Sequence, residues 1–172
     1  MSTRSRIGMQ NVDGTVRSVY CHSDGYPSYN GQLLIDHYTD PAKVNELIDL
    51  GSLSSLAENI GEKHDFDWMH QYFKEGGNYH EDPRYHMVKA YGRDRGETDV
   101  DADIDDNADA MYHRAAEGWE EYAYLFRDGQ WFVTPVGGGA GPFMVTASDP
   151  EGKSPADWQL VSDVLAKEKA AA

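Results

Sequence analysis

The sequence predicts an α+β fold, in which a mainly antiparallel sheet of about five strands carries three or four helices on one face. Two β-hairpin patterns close at Asp13-Gly14 and Asp128-Gly129, a dipeptide that adopts the positive φ angles of tight hairpin turns. A well-delimited helix pattern covers residues 39–51, and strand and helix patterns do not alternate regularly. With 172 residues, of which 40% are hydrophobic, the chain is long enough to bury a core as a single domain over residues 1–172.

The first hairpin pattern predicts strands near residues 5–11 and 15–22. Because successive side chains of a strand point to opposite faces, Cys21 shares a face with Val19, and His22 lies on the other face with Tyr20. Cys21 and His22 therefore cannot act together as a thiol and its base. We expect the Cys21 thiol to be an inert member of the core.

Two helices are predicted after this hairpin. Residues 31–38 have apolar side chains at spacings that suit a short helix. The next helix begins with Thr39 or Asp40 as its N-cap, has Pro41 in its first turn and ends at Gly51.

The pattern weakens between residues 52 and 83, and a third strand is predicted over residues 86–91. Helical composition returns over residues 107–117, and residues 120–135 form the second hairpin pattern. A last helix is predicted from Ser154-Pro155 onward, with three apolar side chains on one stripe: Trp158, Val161 and Leu165.

The charge of the chain restricts its partners. Thirty acidic residues against fifteen basic ones give a net charge of −15, which repels phosphate backbones and argues against direct nucleic-acid binding. Between Asp94 and Asp109 eight acidic residues accompany one arginine, a local charge of −7. We interpret six of these carboxylates as an acidic interaction face for a basic or nucleic-acid-binding protein: Asp99, Asp101, Asp103, Asp105, Asp106 and Asp109. The alternative is that the charge serves solubility alone.

Templates for metal and cofactor sites do not fit the sequence, so no metal and no cofactor is predicted. A calcium loop starting at Asp99 has Ile104 where glycine is needed and Ala110 where a bidentate glutamate is needed. The seven histidines contain no HExxH pair, and the glycine run PVGGGAGP lacks the Lys-Ser/Thr of a phosphate-binding loop.

Three observations on the sequence indicate the cellular compartment of the protein. Cys21 is the only cysteine, which fits a reducing environment. The start, MSTRSRIGM, has no apolar run typical of a secretory signal, and the uncharged run over residues 129–148 is interrupted by Pro135, Pro142 and three consecutive glycines. We therefore expect a cytoplasmic protein without a membrane span.

Two polar and aromatic segments, YCHSDGYPSYNG and YGRDRGE, stand at predicted strand ends, where binding groups are often displayed. Together they define a candidate ligand site for a nucleotide-like molecule, made of His22, Asp24, Tyr26, Tyr29, Arg93, Asp94, Arg95 and Glu97. If the strand continued through the second segment, Arg93 and Arg95 would point one way and Asp94 the other. The two arginines then either clamp an anionic group of a ligand or neutralise nearby carboxylates of the chain.

The same segments, with SRIG, HYTDPAKVNELIDLGSLSSL and EYAYLFRDGQWFV, resemble a family of small proteins encoded by bacteriophages and prophages. The resemblance covers roughly residues 4–134. It implies a phage protein made in the cytoplasm of a bacterial host, and it implies no catalytic activity.

Two functions therefore follow from the sequence as hypotheses. The first is a non-enzymatic phage accessory protein that binds a host protein through its acidic face, as a nucleic-acid mimic or an inhibitor of host defence. The second is a protein that binds, sequesters or converts a small nucleotide-like ligand at the candidate ligand site. A minor component of the virion is a third possibility.

Overall fold

The structure is a computed structural model that describes residues 2–136 and 156–172. Its fold is α+β, as predicted, with six helices and a mixed sheet of eight strands. The strands are β1 (Ser5–Gln10), β2 (Val16–Cys21), β3 (Leu53–Ser55), β4 (Lys89–Ala90), β5 (Asp103–Asp105), β6 (Tyr122–Arg127), β7 (Gln130–Pro135) and β8 (Gln159–Leu160). The helices are α1 (Gln32–His37), α2 (Pro41–Asp49), α3 (Met69–Glu75), α4 (Tyr91–Arg95), α5 (Ala108–Glu117) and α6 (Val161–Ala171).

The sheet has more than the five predicted strands, and it is mixed, although most of its strand pairs are antiparallel as predicted. Its order is β4-β3-β2-β1-β6-β7-β8, and β5 pairs with the first half of β2. Two of the pairs are parallel, β1 with β6 and β2 with β3. The additional strands and the two parallel pairs were not predicted, because turn dipeptides specify only pairs of consecutive strands, whereas β1 and β6 are joined by contacts between distant segments.

Both predicted hairpins are confirmed. β1 and β2 pair from Ser5↔Cys21 to Gln10↔Val16, and Gly14 in the connecting loop has a φ of 89°. β6 and β7 are joined by Asp128 and Gly129, whose φ values of 52° and 73° are those of a two-residue turn with both residues left-handed.

Helices cover both faces of the sheet. On the first face, Val19 and Cys21 of β2 pack in one cluster with Leu47 of α2 and Val161 of α6. On the second face, Val16 of β2 packs with side chains of α5 and β6, including Met111, Ala115 and Leu125. The prediction of helices on a single face was therefore wrong, and α5 is the helix that it misplaced.

The predicted helix starts are confirmed in α2 and corrected in α6. The Asp40 carboxylate accepts the Ala42 N–H at 3.0 Å, so α2 has the predicted N-cap. α6 starts only at Val161, because the preceding Gln159 and Leu160 pair with β7 as β8. Trp158 consequently packs with the second cluster, whereas Val161 and Leu165 belong to the first, so the predicted stripe was wrong.

The connection from β2 to α1 is more ordered than a plain loop, because Pro27–Gly31 forms a single π-helical turn that leads directly into α1. Single 3₁₀ turns cover Tyr79–Glu81 and Pro83–His86. Ser154, Pro155 and the glycine run after Val136 lie outside the described residues.

In the parts of the chain that the structure describes, no helix is long and apolar enough to cross a membrane.

Candidate functional site

The predicted strand over residues 86–91 is only two residues long, which changes the geometry of the YGRDRGE segment. The chain turns into α4 at Tyr91, and the Asp94 carboxylate accepts the Ala90 N–H at 2.8 Å. A helix follows because this side chain satisfies a backbone donor at its start. The strand-based prediction that Arg93 and Arg95 share a direction opposite to Asp94 was therefore wrong.

Arg93 and Asp94 are structural partners inside the protein. Arg93 Nε donates to Asp94 Oδ1 at 2.9 Å, and its two terminal nitrogens donate to the carbonyls of Ile60 and Val88. The Asp94 side chain is fully buried and also accepts the His64 backbone N–H at 3.2 Å. Burial acts to raise the pKa of Asp94, but Arg93 and the two backbone donors outweigh it and hold the pKa below its usual value.

Arg95 lies on the surface and is also engaged. It pairs with Glu97 at 2.7 Å, and its guanidinium carbon stands 4.4 Å and 4.9 Å from the ring centres of Phe66 and Tyr91. Arg93 and Arg95 thus neutralise carboxylates of the chain itself, the second of the two roles considered for them.

The residues of the first predicted segment contact other groups. The Tyr20 hydroxyl and His22 Nδ1 are hydrogen-bonded at 2.6 Å. Burial raises the pKa of Tyr29 to about 12, with contributions from nearby Tyr85 and from Asp24. Tyr26 lies against Tyr29, with ring centres 6.1 Å apart.

No hydrogen bond, ion pair or ring contact within the described residues joins the first predicted segment to the second. Tyr20 was missed by the sequence reasoning, although it shares the strand face of His22 two positions earlier.

Cys21 is fully buried, in agreement with the expectation of an inert thiol. Burial raises its pKa to about 11. The Asn30 side-chain amide donates to Cys21 Sγ at 3.6 Å and to the Ser23 carbonyl at 3.2 Å, and Asn30 is itself fully buried. A protonated, inaccessible thiol has no nucleophilic role here.

The acidic block divides into an inner and an outer part. The inner part is Asp103 and Asp105 of β5, which form ion pairs with Arg6 and Arg114 at 2.8 Å and 2.9 Å. Arg6 also donates to Glu120 at 2.8 Å, and burial raises the pKa of that carboxyl. These inner carboxylates hold β1, β5 and α5 together; Asp105 is buried, whereas the Asp103 side chain remains 41% exposed.

The outer part consists of four exposed carboxylates that form no ion pair with a described residue: Asp99, Asp101, Asp106 and Asp109. The sequence did not separate them from the inner pair, because Arg6 and Arg114 are brought to β5 by the register of β1 on β2 and by α5.

Asp99 and Asp101 line a groove of about 450 Å³ between the end of α2 and the segment that follows α4. Asp49 and Glu97 add two more carboxylates to its lining, which also includes Leu50, Val100 and one cation, Arg93, whose guanidinium is bound by Asp94. We call this the acidic groove. Asp49 binds Arg17 and Glu97 binds Arg95, whereas Asp99 and Asp101 have no such cation among the described residues.

A glycine positions this groove. Gly51 has a φ of 76°, and a Cβ on it would stand 2.2 Å from the Val100 carbonyl oxygen. The neighbouring Ser52 N–H donates to the same oxygen at 2.8 Å. Only glycine permits both the left-handed backbone and this close approach, which fixes residues 99–101 beside α2.

A larger groove of about 610 Å³ lies between β8 and α6 and is lined by Trp158, Leu160, Asp163 and Lys167. It carries one charge of each sign and no cluster of titratable groups. We therefore assign the candidate site to the smaller acidic groove, where the charge is concentrated.

Across residues 2–136 and 156–172, no group of three or more histidine, cysteine, aspartate or glutamate side chains is arranged to hold a metal ion.

Comparisons with known proteins give no relationship: no protein-family model, no curated protein sequence and no solved structure matches the chain significantly.

Proposed function

We propose that this chain is a non-enzymatic binding protein, which captures a basic segment of a host protein in its acidic groove. The observation that supports this most directly is the pair Asp99 and Asp101, two exposed carboxylates that line one groove and form no ion pair with a described residue, while Arg93 of the same lining is bound by Asp94. Lysine and arginine side chains fit such a site, because their aliphatic stems pack on apolar walls while their charged ends reach carboxylates.

The charge of −15 supports the same proposal at long range. A strongly negative field speeds the encounter with a positively charged protein and slows the encounter with nucleic acid. A host protein that holds DNA or RNA in a basic groove is the partner class that this field favours. With the resemblance to phage proteins, this leads to an accessory protein that acts in the host cytoplasm by occupying a nucleic-acid-binding surface.

The experiment is affinity capture from a bacterial lysate with the wild-type chain, followed by Kd measurement on the purified partner. We expect the double variant Asp99→Asn, Asp101→Asn to bind roughly tenfold or more weakly, and raised salt to weaken wild-type binding to a similar extent. The matched control is Glu75→Gln, Glu168→Gln, which removes the same charge from exposed positions outside the groove. Equal losses in the two double variants would show that total charge, and not the groove, carries the binding.

One specific observation supports the second candidate function, the binding of a small ligand. The close pair of Tyr20 and His22 lies at the end of β2, and the pKa of Tyr20, raised chiefly by burial, also responds to nearby Tyr91. Arg95 in turn stacks on Tyr91. Thermal-shift screening against nucleotides tests this second function. A stabilising nucleotide whose effect is lost in His22→Ala would support it, and a null screen would count against it.

A further inference from the structure

Among the described residues, the strand β5 has one unpaired edge, and the segment leading into β5 lines the acidic groove. β5 pairs with β2 through Val16↔Asp105, Arg17↔Ile104 and Ser18↔Asp103. Outside this ladder, no backbone group of residues 102–106 is hydrogen-bonded to another described residue. Unpaired strand edges are templates for a strand supplied by another chain.

Ile104 is an exposed apolar side chain at the middle of this edge strand. Its exposed fraction is 70%, which places it among the most exposed large apolar residues described. It faces the same side of the sheet as its partner Arg17, whose guanidinium binds Asn45 and Asp49 of α2. Asp49 also lines the acidic groove, so the groove and the face of β5 that carries Ile104 form one continuous surface.

The charges beside β5 select the kind of strand that this edge accepts. Asp101 precedes the strand, Asp106 follows it, and both are exposed without an ion pair to a described residue. A second copy of this chain would bring the same carboxylates opposite one another, which is unfavourable. An extended segment with basic residues next to apolar ones places opposite charges there and covers Ile104.

We infer that β5 receives an extended basic segment of the partner as an additional strand, with an apolar side chain on Ile104 and basic side chains toward the acidic groove. This rests on the proposed function and specifies how the partner is held. Backbone hydrogen bonds along the strand supply affinity, and the alternating side chains supply specificity.

The probe is a synthetic peptide of alternating lysine and valine with blocked ends. It is titrated into the isotope-labelled full chain, and binding is followed by NMR through the amide signals of each residue. The control peptide has proline in place of valine, so that it keeps the charge but cannot form a ladder. We expect the valine peptide to bind roughly tenfold or more tightly than the proline peptide and to slow hydrogen exchange of the amides of residues 102–106. Ile104→Lys should weaken the valine peptide roughly tenfold, whereas Val12→Lys, an equally charged change at another exposed apolar residue, should leave the affinity within about threefold.

The contrary outcomes separate the two proposals. Equal binding of both peptides, with spectral changes confined to residues 97–101, would overturn the added strand and leave the acidic groove as the site. Absence of binding by either peptide at low salt would overturn both. A concentration-dependent dimer that Ile104→Lys abolishes would show that the edge takes a second copy, and it would overturn the inference of a basic partner strand.

Discussion

The Cys21 thiol lies in the core beneath β2, and its surroundings keep it protonated. Burial raises its pKa to about 11, so the thiol stays protonated near neutral pH, and the side chain has no exposed surface. We expect iodoacetamide to modify the native chain no faster than the chain opens, and to modify it rapidly in denaturant. Mass spectrometry of the two time courses measures this. Fast labelling of the native chain would contradict the assignment of Cys21 to the core.

Arg93 and Asp94 form a largely buried ion pair, although adjacent charged residues in a sequence usually indicate an exposed position. Asp94→Asn removes the charge that Arg93 faces, and leaves the guanidinium partly buried and uncompensated. We expect a loss of about 3 kcal/mol in the free energy of unfolding, measured by urea denaturation. The control is Glu97→Gln, which breaks the exposed pair with Arg95 and should cost less than about 1 kcal/mol. Equal costs would show that Asp94 is not held as described.

The Asp94 carboxylate also makes the free energy of unfolding depend on pH. The folded-state pKa of Asp94 is lowered, so its ionised form contributes stability above the ordinary pKa of an aspartate, about 4, and this contribution is lost as the pH falls through the folded-state pKa. The stability difference between wild type and Asp94→Asn should therefore be constant near neutral pH and shrink below about pH 4. Urea denaturation across this range measures it. A difference that grows with acidity would refute the lowered pKa.

At the scale of elements, what the sequence predicts is what local chemistry determines. The Asp-Gly turns and the Asp40 cap act within a few residues of themselves, and both hairpins and α2 are where they were predicted. β3, β5 and β8 are two or three residues long and exist only because other strands lie beside them. Their sequences carry too few alternations to show a period, so they could not be predicted, whereas β4 forms within the strand predicted over residues 86–91 but covers only two of its residues.

The candidate site was predictable to the same degree. The concentration of acidic residues is visible in the sequence, but which carboxylates are free depends on distant arginines. Arg6 reaches Asp103 only because β2 lies between β1 and β5. The predicted directions of Arg93 and Arg95 held only for a strand that continued through them, and the chain forms α4 from Tyr91 onward instead.

Gly51 links the end of α2 to the acidic groove, and it can be tested against a second left-handed glycine. Gly51→Ala combines a φ of 76° with a Cβ position 2.2 Å from the Val100 carbonyl oxygen. Gly14→Ala has a φ of 89° with nothing near the added carbon. We expect about 1 kcal/mol of destabilisation for Gly14→Ala and at least about 2 kcal/mol for Gly51→Ala, from thermal or urea unfolding.

If Gly51→Ala proves no more costly than Gly14→Ala, the close packing of residues 99–101 against α2 is refuted. The partner affinity of Gly51→Ala, measured on the folded fraction, should also fall, because the segment that lines the groove must shift. Gly14→Ala lies in the loop of the first hairpin and should bind normally.

At the scale of the whole molecule, a net charge of −15 opposes the compact state through self-repulsion. Carboxylates with arginine partners offset this repulsion, and those without partners add to it. Asp105 receives three donor contacts from Arg114, whereas Asp99 and Asp101 have no cation among the described residues. The same substitution should therefore have opposite effects on stability in the inner and outer parts of the acidic block.

We expect Asp105→Asn to lower the free energy of unfolding by about 1–2 kcal/mol, because it weakens a charge-assisted pair that is partly buried. Asp99→Asn with Asp101→Asn should leave stability unchanged or raise it by up to about 0.5 kcal/mol, and asparagine tolerates the φ of 58° at position 99. Urea unfolding at low and high salt measures both, and the gain from the outer substitutions should vanish at high salt, where repulsion is screened. If neutralising Asp99 and Asp101 does not reduce stability but does weaken partner binding, the role of these two carboxylates is binding. A clear loss of stability on neutralising Asp99 and Asp101 would instead give them a structural role and weaken the proposed function.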